Sequence, residues 1–362
     1  QGILTLSEQL EITAGGRYSI EDKWLHFARY PSALSGFSPT PVQIALDPQK
    51  VHFTDFSPEA TIRFRPTRNI TFYGAYREGF TSGGFNTAPA SGGGDITYRQ
   101  ARARGFEAGV KGSLLDRQLS FDASIYTYRY DDLQLNAFDP VSISVKVRNA
   151  ASARTKGAEM ALTFAPKAVP GLTLRSSVAY NHARYLNYSD ASCYAGQSIA
   201  QGCNRNLVPR FDPATGAAIG SSFSSQDLSG TQLERAPDWT MSHGIMYDLP
   251  ISNAMKISFG GDGNYTGSFN PEPAHNPRAL QRGVWRFNAF AALAASDDSW
   301  ELSLIGRNLA NKLRVATAFE YPLTGASFPG YASPGLGADL AGAPTEPRTV
   351  MVQLTLRSPL FK

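Results

Sequence analysis

The chain has 362 residues, 42% of them hydrophobic and 18% charged, with a formal net charge of +4, a length that fits two or three soluble domains or one large barrel. No window approaches the ~18 consecutive apolar residues of a membrane helix, and the longest plain stretch is FNAFAALAA at 287–295, so a helical membrane protein is excluded. The arginines are scattered, with no basic run interleaved with aromatics, which gives no reason to propose nucleic acid as a partner.

The 33 Gly, 16 Tyr and 21 Phe favour strands and turns, and period-two alternation starts at once. Leu10, Ile12, Ala14, Gly16, Tyr18 and Ile20 alternate with Glu11, Thr13, Gly15, Arg17, Ser19 and Glu21, a pattern that no helix produces. Ala60, Ile62 and Phe64 make the next face, then Ile70, Phe72, Gly74 and Tyr76, then Phe106, Ala108, Val110 and Leu114. Leu119, Phe121, Ala123 and Ile125 follow, then Ala158, Met160, Leu162 and Phe164, then Leu172, Leu174, Val178 and Tyr180. Trp239, Met241, Ile245, Tyr247 and Leu249 come next, then Met255, Ile257, Phe259 and Tyr265. The last three strands are carried by Trp285, Phe287, Ala289 and Leu293, by Trp300, Leu302 and Leu304, and by Val350, Val352, Leu354 and Leu356.

These twelve candidate strands have opposite faces too polar for a dry core, as with Lys256, Ser258, Asp262 and Asn264 behind Ile257 and Phe259. Their connections alternate. Short links (66–69, 114–118, 166–171, 250–254 and 296–299) separate one pair, and long polar links (31–50, 82–100, 186–234, 268–281 and 315–346) separate the next. Short turns at one rim and long loops at the other characterise a bacterial outer-membrane barrel. The expectation is an all-β, antiparallel transmembrane sheet treated as one domain over 1–362, with Ile12, Phe72, Phe121, Leu174, Phe259, Phe287, Leu302 and Val352 toward lipid. A soluble sandwich would instead bring these side chains together between two sheets. Trp24, Tyr128, Tyr130, Tyr185, Trp239, Tyr265 and Trp300 are candidates for interfacial girdles, with cross-strand packing as the alternative for each. Gly83 and Gly84, before the SGGG of 91–94, read as turn glycines at a strand end rather than a phosphate cradle.

Cys193 and Cys203 are separated by nine residues in a polar, glycine-containing segment. That spacing suits a loop disulfide in an oxidising compartment, with Cα atoms within ~7 Å, and two free thiols are the alternative. SCYAGQSIAQGCN supplies no partners for a metal site, and no other metal or cofactor is expected. The chain opens on Gln1 without a charged segment leading into an apolar one, so any signal peptide is expected to be removed or to lie upstream. The five histidines lie far apart, with no HExxH and no GxSxG, so no enzyme is expected. His243, on the apolar side of its strand, suits packing better than catalysis.

The run FSPEATIRFRPTRNITFYGAYREGFTSGGFN, then YRYDDLQLNAF with VRNAASARTKGAEMAL, LERAPDWTMSHGIMYDLP, LIGRNLANKL and PRTVMVQLTL, resembles, in the same order, the landmarks of TonB-dependent outer-membrane receptors of the iron-complex branch. The resemblance implies the C-terminal part of a barrel of about 22 strands, with the plug, the TonB box and about ten strands upstream of Gln1. Phe361 stands next to last, where the family ends on an aromatic. The implied function is TonB-dependent uptake of a ferric siderophore or similar iron chelate across the bacterial outer membrane, with outer-membrane lipid as surroundings and TonB reached through the plug. A passive porin is the alternative. Ligand contacts would come from the long loops and the upper lumen wall, where Tyr188, Tyr194, Arg205, Arg210, Phe211, His275, Arg278 and Arg282 offer aromatic faces and cations. If strands are missing, the segments 9–23 and 347–357 are expected to be unpaired edges.

Overall fold

A computed structural model describes residues 1–29, 44–86, 96–139, 144–211, 217–321, 324 and 337–357. The SGGG segment and Phe361 lie outside the described residues. Thirteen strands form one antiparallel sheet in chain order. They are β1 (Gly2–Thr5), β2 (Leu10–Arg29), β3 (Ile44–Thr67), β4 (Ile70–Thr81), β5 (Ala101–Leu114), β6 (Leu119–Asp139) and β7 (Ser144–Phe164). The rest are β8 (Leu172–Asn187), β9 (Trp239–Pro250), β10 (Met255–Thr266), β11 (Val284–Ala295), β12 (Trp300–Arg307) and β13 (Thr349–Leu356).

The twelve expected strands are β2 to β13, and the addition is β1, which pairs Gly2–Thr5 against Ala14–Glu11 of β2. Residues 44–50, expected in a link, extend β3, and β6 and β7 run on past their apolar halves to Asp139 and from Ser144. In β6 the alternation itself continues through Leu133 and Leu135, but past a register shift at Tyr130/Leu133 these side chains pack against the buried cluster of Ala151, Tyr185 and Tyr188 instead of facing outward.

Register places the apolar positions on one face. Ile62, Gly74, Ala108, Ile125 and Ala158 stand in one row across β3 to β7, and Tyr247, Phe259, Ala291 and Leu304 in another across β9 to β12. Phe72, Phe259, Phe287, Leu302 and Val352 are exposed, with Val352 at 71%. Leu174 is also exposed, and Ile12 and Phe121 are half-buried among neighbours on the same face. No second sheet covers them among the described residues, so the sandwich alternative fails. Such a face is stable against acyl chains, and its exposure to water would oppose folding at about 25 cal/mol per Å².

Three of the girdle candidates lie elsewhere. Tyr128 and Tyr130 fall on the polar face, opposite Gly105 and Ala103 of β5, because they occupy even positions on a strand whose odd positions face outward. Tyr185, 3% exposed, is buried against Tyr188 under the loops. Trp24 and Trp239 are exposed on the apolar face, and Tyr265 packs there on Trp285 with ring centroids 5.3 Å apart. His243 also faces outward, within 2.9 Å of Ser176 Oγ through Nδ1 and stacked on Trp285. Its strand is paired on both sides, with β8 and with β10.

Short turns (6–9, 68–69, 115–118, 165–171, 251–254 and 296–299) gather at one rim, and at the other every connection is long except 140–143, between β6 and β7. The long connections contain their own structure. Ala191–Ser192, Arg205–Phe211 and Ala218–Gln226 form a small sheet, Val315–Glu320 pairs with Leu340–Pro344, and Gly84–Phe85 pairs with Thr97–Tyr98.

Candidate functional site

The polar face is a continuous network of charges and tyrosines. Glu107 of β5 accepts from Tyr73 Oη at 2.8 Å, from Arg77 Nη1 at 3.4 Å and from Tyr128 Oη at 3.4 Å. Arg63 donates to Glu11 at 2.6 Å, and Tyr126 donates to Asn181 at 3.1 Å. Tyrosines reach sideways here because the facing positions are glycines: a Cβ at Gly109 would stand 2.7 Å from the Tyr73 ring, and one at Gly157 would stand 2.7 Å from Tyr126 Oη. A ring laid over a strand glycine covers the bare backbone and helps to fix register. Two clefts open on this face. One of about 330 Å³ is bordered by Arg175, Asp262, Asn288 and Arg307, and another of about 770 Å³ by Arg17, Glu21, Glu59 and Arg77.

Above this wall the long connections lock together. In the proline-rich NPEPAHNP segment (270–277) the chain wraps around Glu272, whose carboxylate accepts from the N–H of Ala274 at 3.0 Å and of Asn276 at 2.8 Å. Glu272 is 5% exposed, and burial pushes its carboxyl up to about 7 despite those two donors. Asn276 then donates to Glu320 Oε1 at 2.8 Å, while Glu320 Oε2 accepts from the N–H of Ala195 at 2.7 Å. Gln226 donates to Ala274 O at 2.7 Å, and Arg278 Nη1 donates to Ala338 O at 3.0 Å. One carboxylate therefore ties together three connections that are far apart in sequence. Arg314, bonded to the carbonyls of Thr266 and Gly267 and stacked on Phe269, anchors the same assembly to the top of β10.

Cys193 and Cys203 are joined in a disulfide with Cα atoms 5.6 Å apart, at the base of the small loop sheet. Between them, Ser198 and Gln201 exchange reciprocal capping bonds around a single 3-10 turn.

The candidate contact residues divide. Tyr188, 3% exposed, packs with Tyr185, Ala191 and Leu228 in the loop core, and burial raises its hydroxyl to about 12. His275 is held in the left-handed region at φ +58° and lies against Tyr185, and burial lowers its pKa. Arg278 straps one loop to another, and Arg205 is exposed but paired with Asp227 at 2.8 Å. Tyr194 sits half-buried beside the Glu320 clasp, where burial and that carboxylate raise its pKa. Arg282 is exposed two residues before β11. Arg210 and Phe211 end the strand Arg205–Phe211, and their side chains lie outside the described residues. The loop assembly thus unites Tyr194, His275 and Arg278, with Arg205 on its outer sheet. Glu107, Glu272, Glu320 and the polar-face tyrosines were missed as site residues. The proline spacing of NPEPAHNP around a lone carboxylate is the one signal that points to Glu272.

A family model described as TonB dependent receptor-like, beta-barrel matches residues 1–309. Solved structures with the same fold include the ferric yersiniabactin uptake receptor FyuA from Yersinia pestis, at TM-score 0.67 and 11% identity over 96% of this chain and 43% of that one. The siderophore receptor PiuA from Acinetobacter baumannii aligns at TM-score 0.62 and 15% identity over 97% of this chain and 41% of that one. The copper transporter OprC aligns at TM-score 0.62 and 12% identity over 96% and 46%. The chain therefore spans less than half the length of each of these chains.

Proposed function

Because the chain belongs to the TonB-dependent receptor β-barrel family, a family of outer-membrane proteins, we propose that it builds the wall and part of the mouth of a receptor for energised uptake of a ferric siderophore or similar metal chelate. The observation that carries this reading is the knitted loop assembly above a polar, tyrosine-lined wall. A passive pore gains nothing from three connections tied to one another through Glu320, whereas a receptor needs a shaped mouth whose groups are already held in place. Arg205, Arg210 and Arg282 supply cations for an anionic chelate, and Tyr194 a face for a flat catecholate or heterocyclic group. Arg278 acts by holding the loops in position.

The test is binding and cellular uptake of a panel of ferric catecholate, hydroxamate and mixed siderophores by the receptor that carries this chain, with Arg205→Ala, Arg210→Ala and Arg282→Ala variants beside it. We expect one chelate class to bind, each variant to weaken it by about 1.5–3 kcal/mol as a lost hydrogen bond to a charged group does, and uptake to stop when TonB is absent. Tight binding of cobalamin or an oligosaccharide, with no iron complex bound, would remove the siderophore reading and leave the receptor. Uptake independent of TonB would favour the porin.

A further inference from the structure

On the outward face, just above the apolar rows, Arg104 of β5, Arg129 of β6, Arg154 of β7 and Arg184 of β8 stand directly opposite one another on consecutive strands. Lys156, two residues below Arg154 on the same face, and His182 opposite it extend the patch. Like charges directly opposite across a ladder are destabilising, so this arrangement calls for a counter-anion. The protein supplies a partial one. Asp131 takes Arg129 Nε at 2.8 Å and Arg104 Nη2 at 3.5 Å, Asp238 takes Arg184 at 2.7 Å, and Glu78, opposite Arg104, is engaged by Tyr76 Oη. Arg154 and Lys156 have no ion-pair partner among the described residues, and the patch keeps an excess of positive charge.

Height and surroundings identify what covers it. Arg129 lies ten residues beyond Leu119, about 33 Å along a strand at ~3.3 Å per residue, which a tilt of about 40° reduces to about 25 Å, the height of the apolar band of such barrels. The ladder thus sits at the outer edge of the acyl region, on the long-loop side. Directly below it a groove of about 530 Å³ is bordered by Ile62, Gly74, Tyr76, Phe106, Ala108 and Ile125. Small residues form its floor, and Phe106 and Ile125, each 62% exposed, form its sides.

We propose that this face is a specific site for a phosphorylated lipid of the outer leaflet, its phosphate held by Arg129 and Arg154 and an acyl chain lying in the groove. Guanidinium groups pair with phosphate oxygens two at a time, which suits a row of arginines better than scattered lysines. The site rests on the membrane orientation of the sheet and is independent of what the loops bind.

The test takes the whole chain in a neutral maltoside detergent, titrated with dioctanoyl phosphatidic acid, dioctanoyl phosphatidylcholine or inorganic phosphate, with bound adducts counted by native mass spectrometry. Phosphatidic acid should bind in preference to phosphatidylcholine, and Arg129→Gln with Arg154→Gln should weaken it roughly 30-fold, at about 1 kcal/mol per cation. Arg129→Lys with Arg154→Lys should keep part of the affinity, which separates charge from folding, and circular dichroism should show each variant with unchanged strand content. Ala108→Phe, filling the groove, should weaken the lipid without changing competition by inorganic phosphate. Equal binding of the two lipids, unchanged binding by the glutamine pair, or displacement by an equal concentration of inorganic phosphate would overturn the proposal.

Discussion

Tyr73 lies over Gly109, its direct cross-strand partner, and its hydroxyl reaches Glu107 at 2.8 Å. Gly109→Ala puts a methyl group against the ring, so the ring must rotate off the wall and release Glu107. The expected cost is about 1–3 kcal/mol, the usual range for overpacking, read as a lower unfolding midpoint in detergent, and Tyr73→Ala in the same background should recover part of it. A second residue-scale consequence concerns Glu272. Its folded pKa of about 7 lies above the ordinary carboxylate value of 4.5, so between those values the folded state binds more protons than the unfolded state, and stability falls as pH rises. The stabilisation is present in full below about 4.5 and lost above about 7. Hydrogen exchange of 270–280, corrected for intrinsic rates, should show protection decreasing across that window, and Glu272→Gln should flatten the dependence. Alternation marks neither residue, and only the prolines of NPEPAHNP single out Glu272. Gly109 is one of 33 glycines, and the segment that encloses Glu272 is held by Gln226 and Glu320, each more than forty residues away.

The strands were readable because lipid and lumen impose opposite chemistry on alternate residues, so each ladder writes its own period into the chain. Ile257 and Phe259 against Lys256 and Ser258 show it, and register then follows from the pairing. Charge should therefore be tolerated by side. Phe259→Arg at mid-height on the apolar face should cost ~2–4 kcal/mol, and Ser258→Arg on the polar face much less, as measured by unfolding in lipid vesicles. The loops were less readable because their bonds obey no period. Only the Cys193–Cys203 spacing announced local structure there, and Tyr128 and Tyr130, on the polar face, follow the parity of their strand rather than their nearness to its end. Reduction of the disulfide removes the constraint on a short loop, worth roughly 3 kcal/mol in the chain-entropy account. It should raise exchange in 191–226 while the β8–β9 ladder stays protected, and exchange rising equally in both would show that the loop sheet and the wall unfold together.

At the scale of the whole molecule the sheet of described residues runs from β1 to β13 without closing. The expected edge at 9–23 is partly covered, since β1 pairs with Glu11–Ala14, and the rest of that side of β2 and the far side of β13 carry no partner among the described residues. A row of unpaired N–H and C=O groups cannot face hydrocarbon, where each costs several kcal/mol. In a bilayer such edges would need pairing, by further strands or by a second molecule. This part of the architecture could not be seen from alternation, because an edge strand and a central strand have the same period. The two differ in exchange. In the isolated chain every amide of β10, flanked by β9 and β11, should exchange slowly, whereas in β13 the amides bonded to β12 should be protected and the alternate ones should exchange at nearly the rate of unstructured peptide. Protection of both sets in β13 at low protein concentration would mean that the edge is already paired within the chain; protection that appears only as concentration rises would identify edge-to-edge association of two copies.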